Sequence, residues 1–153
     1  MSYTVFDCTQ FVTLDTHDDN SIENIKEAFK QLGFDLKFNE QISNNKLIYL
    51  KDHLKTTVIE LVDKEFIGEF EDWEDVSSPP IKIIKFIKIL KIILKDRNIG
   101  SLKLIIVNNA SENKKEDNIL ELISSEEDLN TSLFSISSWN FEFKTDVLIL
   151  KLI

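Results

Sequence analysis

Potential metal ligands are densest at residues 15–19, which read Asp-Thr-His-Asp-Asp. In an extended segment Asp15 and His17 would face the same way, and Asp19 could join them as a third ligand. The segment lacks the glycine turn and the bidentate glutamate of an EF-hand, and no second histidine follows at helical spacing. A small metal-dependent hydrolase that uses Asp15, His17 and Asp19 as ligands is nevertheless one hypothesis. The interpretation that we favour is a solvated loop without a metal, whose acids stabilise the start of a following helix.

Patterns for nucleophilic catalysis and phosphate binding are missing from the sequence. Cys8 is the only cysteine. It lacks the adjacent basic residue or helix start that would favour a thiolate, so we expect a small core residue. His53 lies in a Lys-Asp-His-Leu-Lys stretch that is typical of a turn. With only three glycines, the chain has no glycine-rich phosphate loop. We predict that the protein is not an enzyme and binds no cofactor.

The most informative charge pattern is an acidic stretch at residues 60–75, in which eight carboxylates are opposed only by Lys64. Trp73 lies in its densest part, Glu-Asp-Trp-Glu-Asp at residues 71–75. A second acidic cluster covers residues 112–128. An aromatic side chain ringed by carboxylates has the composition of a binding hot spot for a cationic protein surface. The alternative is a solvated acidic loop with the indole packed on the core.

From these two clusters we predict a partner-binding surface. Its carboxylates would steer association with a cationic protein, and the tryptophan would supply desolvated contact area. A strand at a sheet edge is an alternative binding element, through strand addition. The residues assigned to the surface are Glu69, Glu71, Asp72, Trp73, Glu74, Asp75, Glu126, Glu127 and Asp128.

Net charge narrows the classes of partner. The 153 residues include 27 acidic and 18 basic side chains, which leaves a net charge of −9. Phosphate affinity depends on Lys and Arg, and Arg97 is the only arginine. We therefore expect neither nucleic-acid binding nor attachment to anionic membranes, and a surface that attracts basic proteins. The N-terminal sequence lacks the basic patch and apolar run of a signal peptide, which predicts a cytoplasmic protein.

The longest apolar stretch, residues 81–94, is interrupted by Lys82, Lys85, Lys88 and Lys91. These charges are too many for a membrane span. Because the lysines recur every three residues, they wind slowly around a helix and leave a broad apolar arc. We predict the main packing helix of the domain, with its lysines solvated. A basic helix that docks on anionic lipid is the alternative.

The spacing of apolar residues predicts one α+β domain over residues 1–153, with a largely antiparallel sheet and two or three helices packed on one face. One helix is capped near Asn20 or Ser21 and ends before Gly33, a second covers residues 79–96, and a weaker helical pattern covers 116–124. Single strands are predicted at residues 3–14, 34–38, 47–50 and 102–107. Two hairpins are predicted: 58–62 with 66–70, turning at 63–64, and 139–144 with 147–153, turning at 145–146.

In size, negative charge and the acidic segment 71–75 without a catalytic set, the chain resembles the small acidic immunity proteins that bacteria encode beside secreted or contact-delivered toxins. Proteins of that group bind a toxin domain, often a basic nuclease, and block its active site or substrate groove. The resemblance implies a non-enzymatic inhibitor whose carboxylates mimic the phosphates of the toxin's substrate. A nucleic-acid mimic or adaptor that acts on a host DNA-binding protein would share the acidic surface and is the third hypothesis.

Overall fold

The computed structural model describes residues 2–3, 8–42, 57–108, 119–138, 141–142 and 147–153. The helices in these ranges are α1 (Asp19–Gln31), α2 (Lys64–Asp72), α3 (Ile81–Lys95) and α4 (Leu129–Ser138). The strands are β1 (Ser2–Tyr3), β2 (Cys8–Leu14), β3 (Leu36–Phe38), β4 (Thr57–Leu61), β5 (Leu102–Asn108), β6 (Ile119–Ser124), β7 (Phe141–Glu142) and β8 (Val147–Leu152). Two 3₁₀ helices, Asn39–Gln41 and Glu126–Asp128, are also present.

Six of the strands form one sheet in the order β3-β4-β2-β5-β8-β6. Each neighbouring pair in it is antiparallel except β6 and β8, which run parallel. The strands β1 and β7 form a separate antiparallel pair. The register places Phe11 of β2 between Glu60 of β4 and Ile105 of β5. The predicted α+β fold with a largely antiparallel sheet is confirmed, and the described ranges contain four helices.

The central strands of the sheet are buried on both faces, whereas most of the edge strand β6 is exposed. On one face, residues such as Leu104 and Leu150 join buried side chains from all four helices in one hydrophobic cluster. On the other face, Ile105 and Ile149 belong to a second cluster. Since side chains alternate along a strand, a strand buried on both faces must be apolar at nearly every position. This requirement explains the nearly continuous apolar runs of β5 and β8, interrupted only by Lys103 and Lys151 between their first and last apolar residues, where strands are predicted and confirmed.

Helix α1 begins slightly before its predicted start. The Asp18 carboxylate accepts hydrogen bonds from the backbone N–H groups of Asn20 (2.9 Å) and Ser21 (3.1 Å), so Asp18 is the N-cap. The prediction of Asn20 or Ser21 as the cap is therefore wrong. The end of the helix is as predicted, because Gly33 follows it with a left-handed φ of 79°.

The hairpin predicted from residues 58–62 and 66–70 is wrong in its second half. Strand β4 forms as expected, but the second segment lies in helix α2. Phe66 and Phe70 are four residues apart, so one helical face buries both, and their rings stack with 5.6 Å between centroids. Asp63 caps this helix instead of forming the turn of a hairpin.

The helix predicted at residues 116–124 is also wrong over the described part of that range. This part forms β6, which pairs with β8. The spacing of Ile119, Leu120 and Ile123 is compatible with a helix or with a strand, since short apolar runs do not distinguish the two. Hydrogen bonding to β8, which is distant in sequence, decides the outcome.

The predicted C-terminal hairpin is wrong, although its last strand lies deep in the sheet as expected. Strand β8 has β5 on one side and β6 on the other, while β7 pairs with β1. The strand predicted at 3–14 appears as β1 and β2, and that at 34–38 appears as β3. The predicted strand at 47–50, His53 and the turn at 145–146 lie outside the described residues.

Helix α3 contains the apolar stretch interrupted by lysines. Phe86 and Leu90 are fully buried on its inner side, and Lys88 and Lys91 are exposed. The prediction of solvated lysines is wrong for Lys82, which is only 5% exposed, and its ion pair is described below. Within the described ranges, no helix is both long and apolar enough to cross a membrane.

Candidate functional site

The acidic segment 71–75 connects helix α2 to the turn before α3. Helix α2 ends at Asp72, and Trp73 leaves it in an extended conformation (φ −67°, ψ 112°). The chain then turns, with the N–H of Ser78 donating to the Asp75 carbonyl at 2.9 Å. The turn leads to Pro80, the N-cap residue of α3. The segment is thus a short connection between two packed helices.

Trp73 is buried in this connection, with only 3% of its surface exposed. Its ring meets that of Phe134 in α4 edge to face, with 5.2 Å between centroids and 73° between planes. Its Nε1 donates a hydrogen bond to the Asp75 carbonyl at 2.6 Å. Of the two interpretations that the sequence left open, the structure shows the indole packed on the core. Trp73 therefore offers a partner almost no contact area, and it holds segment 71–75 in place.

Two of the predicted partner-binding acids make hydrogen bonds that stabilise local structure. Glu69 Oε2 accepts from the backbone N–H of Lys82 at 3.2 Å, in the first turn of α3, which has no side-chain hydrogen bond from its own N-cap. Asp75 Oδ1 accepts from the hydroxyl of Ser77 at 2.8 Å and from its N–H at 3.0 Å. These hydrogen bonds, the hydroxyl first, lower the pKa of Asp75.

The remaining acids of the predicted surface differ in exposure. Asp72, Glu74 and Glu127 are exposed, and none of their side chains has a hydrogen bond or an ion pair to another residue of the described ranges. Glu71 and Glu126 are half-buried, and Glu71 Oε2 is enclosed without a hydrogen-bond partner in the part of the chain that the structure describes. With Asp75 and Asp128, which are exposed as well, five acids of the predicted surface present their charge to solvent.

The second acidic segment is the 3₁₀ helix Glu126–Asp128, directly before α4. Asp128 Oδ2 accepts from the Ser125 hydroxyl at 3.0 Å, and acids at a helix start interact favourably with its dipole. Phe134, which contacts Trp73, follows Asp128 by six residues, about 9 Å along a helix. Both acidic segments thus belong to the helical layer. Three acids of the predicted second cluster lie outside the described residues: Glu112, Glu116 and Asp117.

A buried ion pair joins α3 to the start of α2. Lys82 Nζ lies 3.0 Å from Asp63 Oδ2, and 7% and 5% of the two side chains are exposed. The ammonium also donates to the Gly33 carbonyl at 2.5 Å and lies over the ring of Phe34, 4.4 Å from its centroid. A buried ammonium needs this many partners because removal from water is costly.

The carboxylate of Asp63 accepts three hydrogen bonds. Oδ1 accepts from the N–H of Phe66 (2.9 Å), and Oδ2 accepts from the N–H of Asp35 (2.9 Å) and from Lys82. Burial alone would raise the pKa of Asp63, but the hydrogen bonds from Phe66, Asp35 and Lys82 together lower it. Sequence reasoning missed this role. An aspartate directly before a segment with apolar residues at helical spacing is an N-cap signal, and here it indicates the start of α2.

We expect Asp63 to make the fold sensitive to acid. Its pKa is lower in the folded state than in the unfolded chain, so its carboxylate stabilises the fold above about pH 4. That stabilisation is lost as the pH falls through the folded-state pKa. Urea denaturation followed by circular dichroism between about pH 7 and pH 2 measures the loss. The Asp63→Asn variant cannot titrate at this position and should lose less free energy of unfolding over that range, whereas equal losses would contradict the assignment.

The alternative metal site has little support in the structure. The Asp15 carbonyl accepts from the N–H of Gly100 at 2.7 Å, and its carboxylate packs so closely that a Cβ added at Gly100 would lie 3.3 Å from Oδ2. His17 and Asp19 line an open cleft of about 530 Å³ together with Lys26. Among the described residues, no three metal-ligating side chains are grouped closely enough to hold an ion.

Chemically, the acidic surface can bind cations. Its exposed carboxylates lie on or beside helices whose inner faces belong to one hydrophobic cluster, so their positions are set by packing. No protein-family model matches the chain, and neither a curated protein nor a solved structure matches it.

Proposed function

We propose that this protein is a non-enzymatic immunity protein that acts in the cytoplasm. It binds a basic toxin domain, of which a nuclease is the best example, and covers the active site or the substrate groove of that domain. The binding surface comprises the exposed carboxylates of segments 71–75 and 126–128. They occupy positions on the toxin that the phosphates of its nucleic-acid substrate would otherwise take.

The proposal rests on the observation that a buried side chain holds the exposed acids of segment 71–75 in position. Asp72 and Glu74 are exposed on either side of Trp73, whose indole is buried against Phe134. The backbone is therefore anchored between two solvent-exposed charges. Because such charges need little ordering on binding, they contribute more affinity than the same charges on a mobile loop.

Electrostatic repulsion supports the same interpretation. Asp72, Glu74 and Asp75 are like charges close together in the chain, and like charges destabilise a compact state. Within the described ranges no lysine or arginine forms an ion pair with any of them. A cationic partner would relieve this repulsion, and the favourable long-range field would increase the association rate.

Charge reversal at segment 71–75 tests the proposal. The variant Asp72→Lys/Glu74→Lys should associate with the toxin domain encoded by the adjacent upstream reading frame at least about tenfold more slowly than the wild type. The association rate of the wild type should also fall more steeply with added salt than that of the variant. Surface plasmon resonance at several salt concentrations measures both rates, and co-expression with the toxin measures protection of growth.

The matched control is Glu23→Lys/Glu27→Lys, which changes the net charge by the same amount on exposed positions of α1. It should retain the wild-type association rate within about twofold. If both variants slow association equally, only net charge matters and the surface is misplaced. If the toxin domain does not bind the wild type, or binds without loss of its activity, the immunity function is wrong. Binding to a host DNA-binding protein instead would favour the hypothesis of a nucleic-acid mimic.

A further inference from the structure

The outer side of helix α3 carries an apolar groove with a basic rim, which we call the cationic groove. It has a volume of about 490 Å³ and extends to Asn130 at the start of α4. Its floor and rim are formed by Ile84, Ile87, Lys88, Lys91, Ile92 and Lys95.

The rim has one sign of charge. Ile84, Lys88, Lys91 and Lys95 are spaced four, three and four residues apart, which places them on one side of the helix. Helix α3 contains no acidic residue. No carboxylate in the described part of the chain forms an ion pair with Lys88, Lys91 or Lys95. The groove is therefore a local positive region on a protein whose net charge is −9.

The isoleucines of this side are unusually open to solvent. Ile84 is 52% exposed and Ile92 is 49% exposed, and Ile81, one turn before Ile84, is 67% exposed. Single exposed apolar residues are ordinary, but several on one helix face beside a groove mark an interaction site. A partner that covered these side chains would remove their exposed apolar surface from water, which favours binding.

Charge and shape together select the occupant. A bilayer surface is broad and would have to enter a concave groove. A second copy that presented its own α3 would bring lysines against lysines. A segment with both apolar side chains and carboxylates can contact the isoleucines of the floor and pair with the lysines of the rim at the same time.

We propose that the cationic groove binds an acidic amphipathic helix of a partner protein, whose apolar side chains fill the space between Ile84 and Ile92 and whose carboxylates pair with Lys88, Lys91 and Lys95. The mode is that of a helix in a groove, with apolar anchors at helical spacing. This site has the opposite charge preference to the acidic surface, so it serves a different partner or a different part of the same partner.

The test uses a fluorescein-labelled peptide of Glu-Leu-Leu-Glu repeats, as long as α3 (15 residues), and fluorescence anisotropy with the full chain. The wild type should bind it, and a peptide of Lys-Leu-Leu-Lys repeats should not compete. Two variants, Lys88→Glu/Lys91→Glu and Ile84→Gln/Ile92→Gln, should each weaken binding at least about tenfold. Since the four side chains point outward, the variants should fold, which circular dichroism checks.

The control variant is Lys30→Glu/Lys64→Glu, which makes the same charge change at exposed positions of α1 and α2 and should bind the peptide within about twofold of the wild type. Equal weakening by the groove and control variants would overturn the proposal, as would absence of peptide binding. Binding instead to vesicles of equal parts phosphatidylglycerol and phosphatidylcholine, lost in the groove variants, would overturn it in favour of a membrane surface. Dimerisation in sedimentation velocity that the isoleucine variant abolishes would assign the groove to a second copy and would also overturn it.

Discussion

The Lys82→Met variant is expected to lower the free energy of unfolding by about 3–5 kcal/mol. The substitution keeps most of the side-chain volume but removes the ammonium that bonds to Asp63 Oδ2 and to the Gly33 carbonyl. The Asp63 carboxylate would then remain buried with its two backbone hydrogen bonds but without a positive charge beside it, and this is the main source of the loss. Urea denaturation at neutral pH, followed by circular dichroism, gives the value directly.

Two comparisons separate the ion pair from other effects of the substitution. Lys88→Met, at an exposed position of the same helix, should change stability by less than about 0.5 kcal/mol. The double variant Lys82→Met/Asp63→Asn removes both charges and should be less destabilised than the sum of the two single variants. Additive losses would mean that the two side chains do not interact, contrary to the 3.0 Å contact.

The Trp73→Ala variant should lose about 3–5 kcal/mol of stability, since it empties a buried site of aromatic size. The indole is 3% exposed, packs edge to face on Phe134 and donates to the Asp75 carbonyl. Trp73→Phe should retain an aromatic ring against Phe134 but lose the hydrogen bond and part of the buried ring volume, at a cost of about 1–3 kcal/mol. Thermal or urea unfolding of the three proteins gives the order wild type, Trp73→Phe, Trp73→Ala.

The Trp73→Phe variant also distinguishes a positioning role of Trp73 from direct contact with a partner. Because the ring is buried, Trp73→Phe should bind the proposed toxin domain with an affinity within about threefold of the wild type, whereas an interface hot spot would lose more than about 2 kcal/mol on truncation. If Trp73→Phe is as stable as the wild type but binds far more weakly, the indole reaches the partner and the buried position is not the one used in the complex.

Several elements of the fold could be predicted from local sequence. Helix α1 has apolar residues at helical spacing and ends at Gly33, and helix α3 follows Pro79 and Pro80. The nearly continuous apolar runs of β5 and β8 indicate strands buried on both faces. These signals are strong because each is complete within a few consecutive residues.

The errors fall where a short pattern is ambiguous. The stretch with Phe66 and Phe70 is short and apolar enough for a strand, yet the four-residue spacing of the two rings suits a helix, and the Asp63 cap decides for α2. Strand β6 has a helix-compatible spacing, and its pairing with β8 decides for the sheet. The partner strand begins more than twenty residues later in the chain, so no local window contains the decisive contact.

In the candidate site, too, some properties follow from the sequence and others depend on contacts between distant segments. The sequence by itself determined which residues carry charge: the excess of acids, their concentration at 71–75 and 126–128, and the lysines of α3. Only the tertiary structure decided which of these charges meet solvent. Lys82 pairs with Asp63, 19 residues away, and with Gly33, 49 residues away, and Trp73 is covered by Phe134. Burial depends on contacts between distant segments, so composition located the charges and packing selected those available to a partner.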